Sequence, residues 1–115
     1  MKRLTRFAWI PLVLCMLAEA DAATKKALVI GNNEYEHARA LSNPANDAED
    51  MTSLLSGLGF DVTFRIDANL KTMRRALREF IDELPDESDP DSVALIYFAG
   101  HGVQIKGENF LIPVD

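Results

Sequence analysis

The feature that most constrains the fold is an uncharged run that ends in a glycine–histidine–glycine turn. Residues 93–98, Val-Ala-Leu-Ile-Tyr-Phe, carry no charge and lead through Ala99 into Gly100, His101 and Gly102. The run is too short for an independent helix and is rich in β-forming residues. It therefore predicts a fully buried strand, central and parallel in its sheet. The glycines let the chain turn sharply and come close to a ligand.

His101 is the first candidate for a catalytic residue. Histidine is the side chain best suited to exchange a proton near neutral pH, and α/β proteins place their sites at the carboxyl ends of parallel strands. A histidine that only caps a loop is the ordinary alternative. The two flanking glycines and the uncharged strand before them favour the catalytic interpretation.

The rest of the chain alternates between short strands and amphipathic helices. Asn43 and Asn69 are the predicted N-caps of two helices, and Gly59 is the predicted end of the first. A turn around Gly107 predicts a small hairpin in which Val103 pairs with residues 110–111. Besides residues 93–98, strands are predicted at residues 27–31, 60–66 and 110–114. This alternation is typical of an α/β sandwich with a mostly parallel sheet.

The first 22 residues have the composition of a secretory signal peptide. A basic start at residues 2–6 precedes an apolar run at residues 7–17, and small-x-small cleavage patterns end at Ala20 and Ala22. We therefore expect residues 1–22 to be a signal peptide that exports the protein to the periplasm or medium. Residues 23–115 would then be the mature domain, with no membrane anchor left after cleavage.

Charge and motifs exclude several classes of function. Without residues 1–22, three basic and two acidic side chains are lost from the 12 Lys+Arg and 18 Asp+Glu of the chain, which leaves 9 and 16 and a net charge of −7. Such a surface argues against nucleic acid, whose binding depends on Lys and Arg. Residues 31–33, Gly-Asn-Asn, match neither a dinucleotide-binding nor a phosphate-binding glycine motif. We expect no cofactor and no metal.

Three segments together resemble the caspase/metacaspase family of cysteine peptidases, and most closely its bacterial members. They are Lys-Ala-Leu-Val-Ile-Gly-Asn-Asn at residues 26–33, Asn-Asp-Ala at residues 46–48 and Tyr-Phe-Ala-Gly-His-Gly-Val-Gln at residues 97–104. The resemblance covers residues 25–115. It implies a caspase-like, three-layer α/β sandwich with a mostly parallel sheet, and a protein or peptide as substrate.

The resemblance also implies roles for two residues of the turn. His101 takes the place of the general base or acid of a Cys-His dyad, and the backbone N–H of Gly102 resembles the oxyanion donor. In caspases the nucleophilic cysteine follows the histidine by about 50 residues, whereas the chain ends at Asp115 and its single cysteine, Cys15, lies in the predicted signal peptide. The nucleophile is therefore expected beyond residue 115, and the 115-residue chain alone is expected to be inactive.

Asp47 is the candidate substrate-binding residue. In metacaspases the aspartate of the matching Asn-Asp-Ala segment selects Arg or Lys before the cleaved bond, whereas caspases select Asp with an arginine on the preceding loop. Alignment through Asp47 places Leu41 where that arginine would be, and Arg39 is out of register. The resemblance thus implies cleavage after basic residues. A carboxylate that only complements the helix dipole is the alternative role for Asp47.

Two other classes of protein remain as alternatives. The first is a non-catalytic, caspase-like interaction domain that keeps the fold without the nucleophile. The second is a flavodoxin-like or receiver-like α/β domain, which would need an acidic cluster or a phosphate-binding loop after the first strand. The Gly31-Asn32-Asn33 segment supplies neither.

Overall fold

The computed structural model describes residues 23–85 and 89–115, so the predicted signal peptide lies outside the described residues. These described residues form five strands and two helices. In order they are β1 (Lys25–Gly31), α1 (Pro44–Gly57), β2 (Asp61–Ile66), α2 (Leu70–Asp82), β3 (Val93–Ala99), β4 (Gly102–Ile105) and β5 (Glu108–Leu111). In this part of the chain no helix is long and apolar enough to cross a membrane.

The main sheet has the order β2-β1-β3, with all strands parallel. α1 connects β1 to β2 on one face, and α2 connects β2 to β3 across the other face. Two right-handed crossovers that run in opposite directions along a sheet require opposite faces. The result is the predicted caspase-like, three-layer α/β sandwich with a mostly parallel sheet.

Successive side chains of β1 point to opposite faces of the sheet, so the core consists of two clusters. β1 is central and contributes five consecutive buried residues, Ala27 to Gly31, because both of its faces are covered by a helix. On the α1 side the buried cluster is Ala27, Val29, Ala48 and Leu55. On the α2 side it is Leu28, Ile30, Ala68, Ala76 and Phe80.

The prediction of a parallel strand at residues 93–98 is confirmed, and the prediction that this strand is fully buried is wrong for the described residues. β3 pairs in parallel with β1 only and forms the edge of the described sheet. Ile96 is 53 % and Val93 44 % exposed. α2 packs over β1 rather than over β3, so an open apolar groove lies beside Ile96, Leu77 and Leu111. An uncharged run predicts two apolar faces, but it does not predict which neighbours cover them.

The first helix is capped by a residue other than the predicted one. Asn43 occupies the cap position, but its backbone is in the helical region (φ −107°, ψ −24°) and its side chain makes no capping hydrogen bond. An N-cap needs an extended backbone to aim its side chain at the helix N–H groups. Asn33, which follows β1, accepts the N–H of Ala45 at 2.8 Å instead. Asn69 caps α2 as predicted and accepts the N–H of Thr72 at 2.9 Å.

The predicted hairpin is present, and its second strand is shorter than expected. Val103 pairs with Phe110 in the antiparallel β4–β5 ladder, but β5 ends at Leu111. The following residues bond elsewhere: the Val114 N–H donates to the Ala68 carbonyl at 3.1 Å, and the Val114 carbonyl accepts the N–H of Glu36 at 2.8 Å. This segment therefore supports the loop after β1 instead of extending the hairpin.

Lys26 ties the opposite end of the sheet together. Its Nζ donates to Asp61 at 3.0 Å and to Glu83 at 2.9 Å, which joins β1 to the start of β2 and to the end of α2. The hydrogen bonds to the Glu83 and Asp61 carboxylates raise the pKa of Lys26 above its ordinary value. This charge cluster lies at the amino ends of the strands, away from the candidate site.

Candidate active site

The carboxyl ends of β1 and β3 bring the candidate residues to one edge of the sheet. Gly31 pairs with Ala99 at the end of the parallel ladder, and the N–H of Asn32 donates to the Ala99 carbonyl at 2.9 Å. His101 follows two residues later. The loop that leaves β1, residues 32–43, therefore starts beside the histidine turn, as the parallel arrangement of the two strands requires.

Asn32 is the buried polar residue that fixes the chain segments beneath this edge. It is 0 % exposed. Its Oδ1 accepts the Ala68 N–H at 2.9 Å, and its Nδ2 lies 3.3 Å from the carbonyl oxygens of both Ala68 and Ile112. These hydrogen bonds hold the segments at Asn32, Ala68 and Ile112 in one arrangement. Any rearrangement would leave a buried polar group unsatisfied.

His101 is held through its ring by the loop after β1. Its Nε2 lies 2.8 Å from the carbonyl oxygen of Arg39. A carbonyl oxygen only accepts hydrogen bonds, so Nε2 carries the hydrogen and the neutral imidazole has its lone pair on Nδ1. Within residues 23–85 and 89–115, Nδ1 has no hydrogen-bond partner. The ring is thus held through Nε2 and presents Nδ1 as a hydrogen-bond acceptor.

The N–H of Gly102 lies outside the hydrogen-bond ladder of the hairpin. Gly102 is the first residue of β4 and pairs with Leu111. The Ile112 N–H donates to the His101 carbonyl at 3.0 Å, so Gly102 and Leu111 form a non-hydrogen-bonded pair of the antiparallel ladder. In such a pair the N–H groups point away from the partner strand. The Gly102 N–H is therefore directed outwards, away from β5.

Asp47 lies at the same edge of the sheet, in the first turn of α1. A side chain at Gly31 would collide with α1, since a Cβ there would lie 2.6 Å from the Pro44 oxygen and 2.8 Å from the Ala48 Cβ. The glycine thus lets the helix start close against β1. The Asp47 side chain is exposed, and in the described part of the chain no ion pair or hydrogen bond joins it to His101.

The described residues contain no cluster of metal ligands. No group of three His, Cys, Asp or Glu side chains in this part of the chain is arranged to hold an ion. The three candidate residues at this edge of the sheet supply an imidazole, an outward N–H and an exposed carboxylate. An imidazole and an N–H donor are groups that can take part in acid–base chemistry on an acyl group.

Comparison with known proteins identifies the family to which the chain belongs. The family model of the caspase domain matches residues 24–115. This chain belongs to the caspase domain family. It is 38 % identical over 94 residues to the human mucosa-associated lymphoid tissue lymphoma translocation protein 1, covering 82 % of the chain and 11 % of that protein.

Caspases themselves are also among the relatives. The chain is 33 % identical over 87 residues to dog caspase-1, covering 76 % of the chain and 21 % of that protein. It is 30 % identical over 86 residues to mouse caspase-4, covering 75 % of the chain and 22 % of that protein. The chain thus spans between 11 % and 22 % of the length of these relatives.

In this caspase domain, sequence reasoning located His101 and Gly102 on the turn but missed the groups that hold the histidine. Arg39 was considered only for its side chain, whereas its carbonyl oxygen is what contacts the imidazole. The hydroxyl of Tyr35 accepts the His101 N–H at 2.8 Å. A backbone carbonyl has no residue-type signature, so the Arg39 contact has no sequence signal. For Tyr35 the one sequence signal is its residue type, an aromatic side chain with a hydroxyl in the loop after β1.

Proposed function

We propose that this caspase domain is the histidine-bearing part of a cysteine endopeptidase that uses a Cys-His dyad. The observation that carries the proposal is the orientation of His101. Its Nε2–H is bound by the Arg39 carbonyl at 2.8 Å, and among the described residues nothing bonds to its Nδ1, at the carboxyl end of a parallel strand. The nucleophile would come from sequence beyond residue 115, and the 115-residue chain alone would be inactive.

The proposed chemistry follows from the two groups of the turn. His101 Nδ1 takes the proton from the cysteine thiol, and the thiolate attacks the carbonyl carbon of the peptide bond. The carbonyl electron pair moves to oxygen, and the outward N–H of Gly102 donates a hydrogen bond to that oxyanion. The imidazolium then gives its proton to the departing amine nitrogen. A water molecule, deprotonated by His101, hydrolyses the thioester that remains.

The proposed substrate is a protein or peptide with Arg or Lys before the cleaved bond. Asp47 is an exposed carboxylate at the same sheet edge as His101 and has no cationic partner within the described residues. A carboxylate in this position is suited to pair with a substrate cation.

Export is a further part of the proposal. We propose that residues 1–22 direct the protein out of the cytoplasm and are removed after Ala20 or Ala22. This rests on the basic start, the apolar run and the small-x-small sites. Mass spectrometry of the exported protein should then give an N-terminus at Asp21 or Ala23. An intact Met1 on cytoplasmic protein would contradict the proposal.

The catalytic role is tested by His101→Ala in the protein that carries the nucleophile. We expect peptide cleavage to fall by at least ~10²-fold, since general acid–base catalysis typically contributes ~10²–10⁴-fold. The fold should persist, because His101 is only half-buried on a turn. Cleavage of reporter peptides with Arg, Lys or Asp before the reporter group measures both activity and preference.

His37→Ala is the matched control. His37 is the other histidine of the chain and is exposed in the loop after β1, so its loss should leave the rate unchanged. Normal cleavage by His101→Ala would refute the dyad. If the wild-type protein cleaves none of the peptides, the domain is instead the non-catalytic, caspase-like interaction domain that the sequence left open.

A further inference from the structure

We infer that Tyr35 is the positioning residue for His101, through its hydroxyl group on the backbone of the histidine turn. The inference rests on the proposed function, because it concerns the histidine assigned there as the base. Tyr35 lies in the loop after β1 and is half-buried. It has no place in the chemistry of the dyad itself, so its contribution is to the geometry of the imidazole.

The hydroxyl oxygen of Tyr35 accepts the N–H of His101 at 2.8 Å. This hydrogen bond joins the loop after β1 to the chain between β3 and β4. The His101 carbonyl is held from the other side by the Ile112 N–H at 3.0 Å. Both backbone polar groups of the histidine are thereby fixed, which leaves the side-chain torsions as its main remaining freedom.

Gly100 is the residue that makes this contact possible. A Cβ at position 100 would overlap the Tyr35 hydroxyl oxygen, and it would lie 2.9 Å from Cζ of the Phe98 ring. The hydroxyl thus occupies the space that a side chain at position 100 would need. The glycine before His101 therefore has a specific partner, in addition to its general freedom in a turn.

The same loop also limits the side-chain torsions of His101. The ring of Tyr35 lies 4.6 Å from the imidazole, centroid to centroid, with an angle of 58° between the planes. The Arg39 carbonyl accepts the Nε2–H at 2.8 Å. Tyr35 and Arg39 thus hold the backbone and the ring from one loop, and together they direct Nδ1 away from that loop, towards the place a nucleophile would approach.

Tyr35→Phe isolates the hydroxyl, because it keeps the aromatic ring beside the imidazole. Tyr97→Phe is the matched control: Tyr97 is the other tyrosine of the chain, it is half-buried, and it packs in the core cluster on the α1 side. Within the described residues the Tyr97 hydroxyl makes no hydrogen bond to another side chain or backbone group. Each variant therefore removes a tyrosine hydroxyl oxygen. In Tyr35→Phe that oxygen has a hydrogen-bond partner, and in Tyr97→Phe it has none among the described residues.

Amide hydrogen exchange in the protein that carries the nucleophile, followed by NMR, tests the contact directly. In Tyr35→Phe we expect the His101 amide to exchange at least about tenfold faster than in wild type, which corresponds to ~1.4 kcal/mol and to the loss of one hydrogen bond. The amides of β1 should be unchanged, and Tyr97→Phe should resemble wild type throughout. An unchanged exchange rate of the His101 amide in Tyr35→Phe would overturn the inference, and so would an equal acceleration of exchange at the amides of β1.

Kinetics of the nucleophile-bearing protein separate positioning from a general structural role. Tyr35→Phe should lower kcat by about tenfold with KM unchanged, because a misplaced base affects the reaction and not the binding of substrate. A rise in the KM of Tyr35→Phe without a fall in its kcat would overturn the inference. An equal fall in the kcat of Tyr97→Phe would also overturn it. If the wild-type protein has no activity, the proposed function fails, while the exchange measurement still decides whether Tyr35 fixes the turn.

Discussion

At the scale of single residues, the least constrained member of the candidate site is Asp47. His101 is held by three hydrogen bonds from other segments, whereas the Asp47 carboxylate is exposed and fixed only by its helix. A group that forms the base of a reaction needs a fixed position, because a displacement of about 1 Å costs roughly 10²-fold in rate. A charge that selects a substrate can act over a longer range.

Under the proposed function, Asp47→Asn should weaken cleavage after Arg and Lys and leave the proposed dyad intact. Loss of a charge-assisted contact, worth ~1.5–3 kcal/mol when formed, predicts a fall of about tenfold or more in kcat/KM for the basic peptides. The effect should shrink at high salt, because the carboxylate is exposed.

Asp50→Asn is the control for Asp47→Asn. Asp50 is also exposed on α1, one turn further along the helix, and the change removes the same charge. Equal losses in both variants would indicate long-range electrostatic steering instead of a contact. Unchanged cleavage after Arg in Asp47→Asn, or a wild-type preference for Asp, would refute the assignment of Asp47.

At the scale of secondary-structure elements, the loop after β1 combines two functions. It carries Tyr35 and Arg39 to His101, and its first residues start α1. Asn33 accepts the Ala45 N–H at the beginning of that helix, and the Asn33 carbonyl accepts the N–H of Leu41 at 2.9 Å. The position of α1, and with it that of Asp47, therefore depends on the loop that holds the histidine.

The unexpected cap of α1 gives a stability prediction. Asn33→Ala should lower the free energy of unfolding by ~1 kcal/mol, as loss of a cap usually does, and lower the Tm by about 4–8 °C for a domain of this size. Asn43→Ala is the control and should change the Tm much less, since the Asn43 side chain makes no capping hydrogen bond. Thermal unfolding followed by circular dichroism measures both. A larger effect of Asn43→Ala would contradict the assignment.

At the scale of the whole molecule, the described sheet has an exposed, apolar side at β3. β3 has one strand neighbour, and the groove beside it is lined by residues that include Leu77, Ile96 and Leu111. An unpaired strand edge with apolar side chains is a template for pairing with another chain. The described residues form a sandwich whose core is complete around β1 and open beside β3.

We expect residues 23–115 to self-associate when produced alone. Ile96→Lys should reduce this association, because a charge at the open side of β3 opposes both strand pairing and burial of the groove. Leu58→Lys is the control: Leu58 is 57 % exposed, similar to Ile96 at 53 %, but it follows α1 instead of lying on β3. Sedimentation velocity measures the distribution of species. A monodisperse wild-type monomer, or equal effects of the two substitutions, would contradict the prediction.

The sequence by itself determined the order of the elements, the parallel sheet and the turn that carries His101. These follow from local signals: uncharged runs of strand length, apolar positions at helical spacing, Asn69 as a cap and glycines at turns. Such signals depend on residue type within one segment, so a single chain reveals them. The resemblance to caspases rested on the same segments, and the match of the caspase domain over residues 24–115 confirms it.

Only the tertiary structure decided what surrounds these segments. An uncharged run predicts a strand but not which of its faces are covered, and among the described residues α2 packs over β1 and leaves Ile96 of β3 exposed. An asparagine before a helix is a good cap only with an extended backbone. The backbone of Asn43 is helical, so its side chain makes no capping hydrogen bond, and Asn33 caps the helix instead. The Arg39 carbonyl and the Tyr35 hydroxyl reach His101 across more than 60 residues of sequence. Contacts of that kind depend on where the chain returns in space, which no local pattern of residue types encodes.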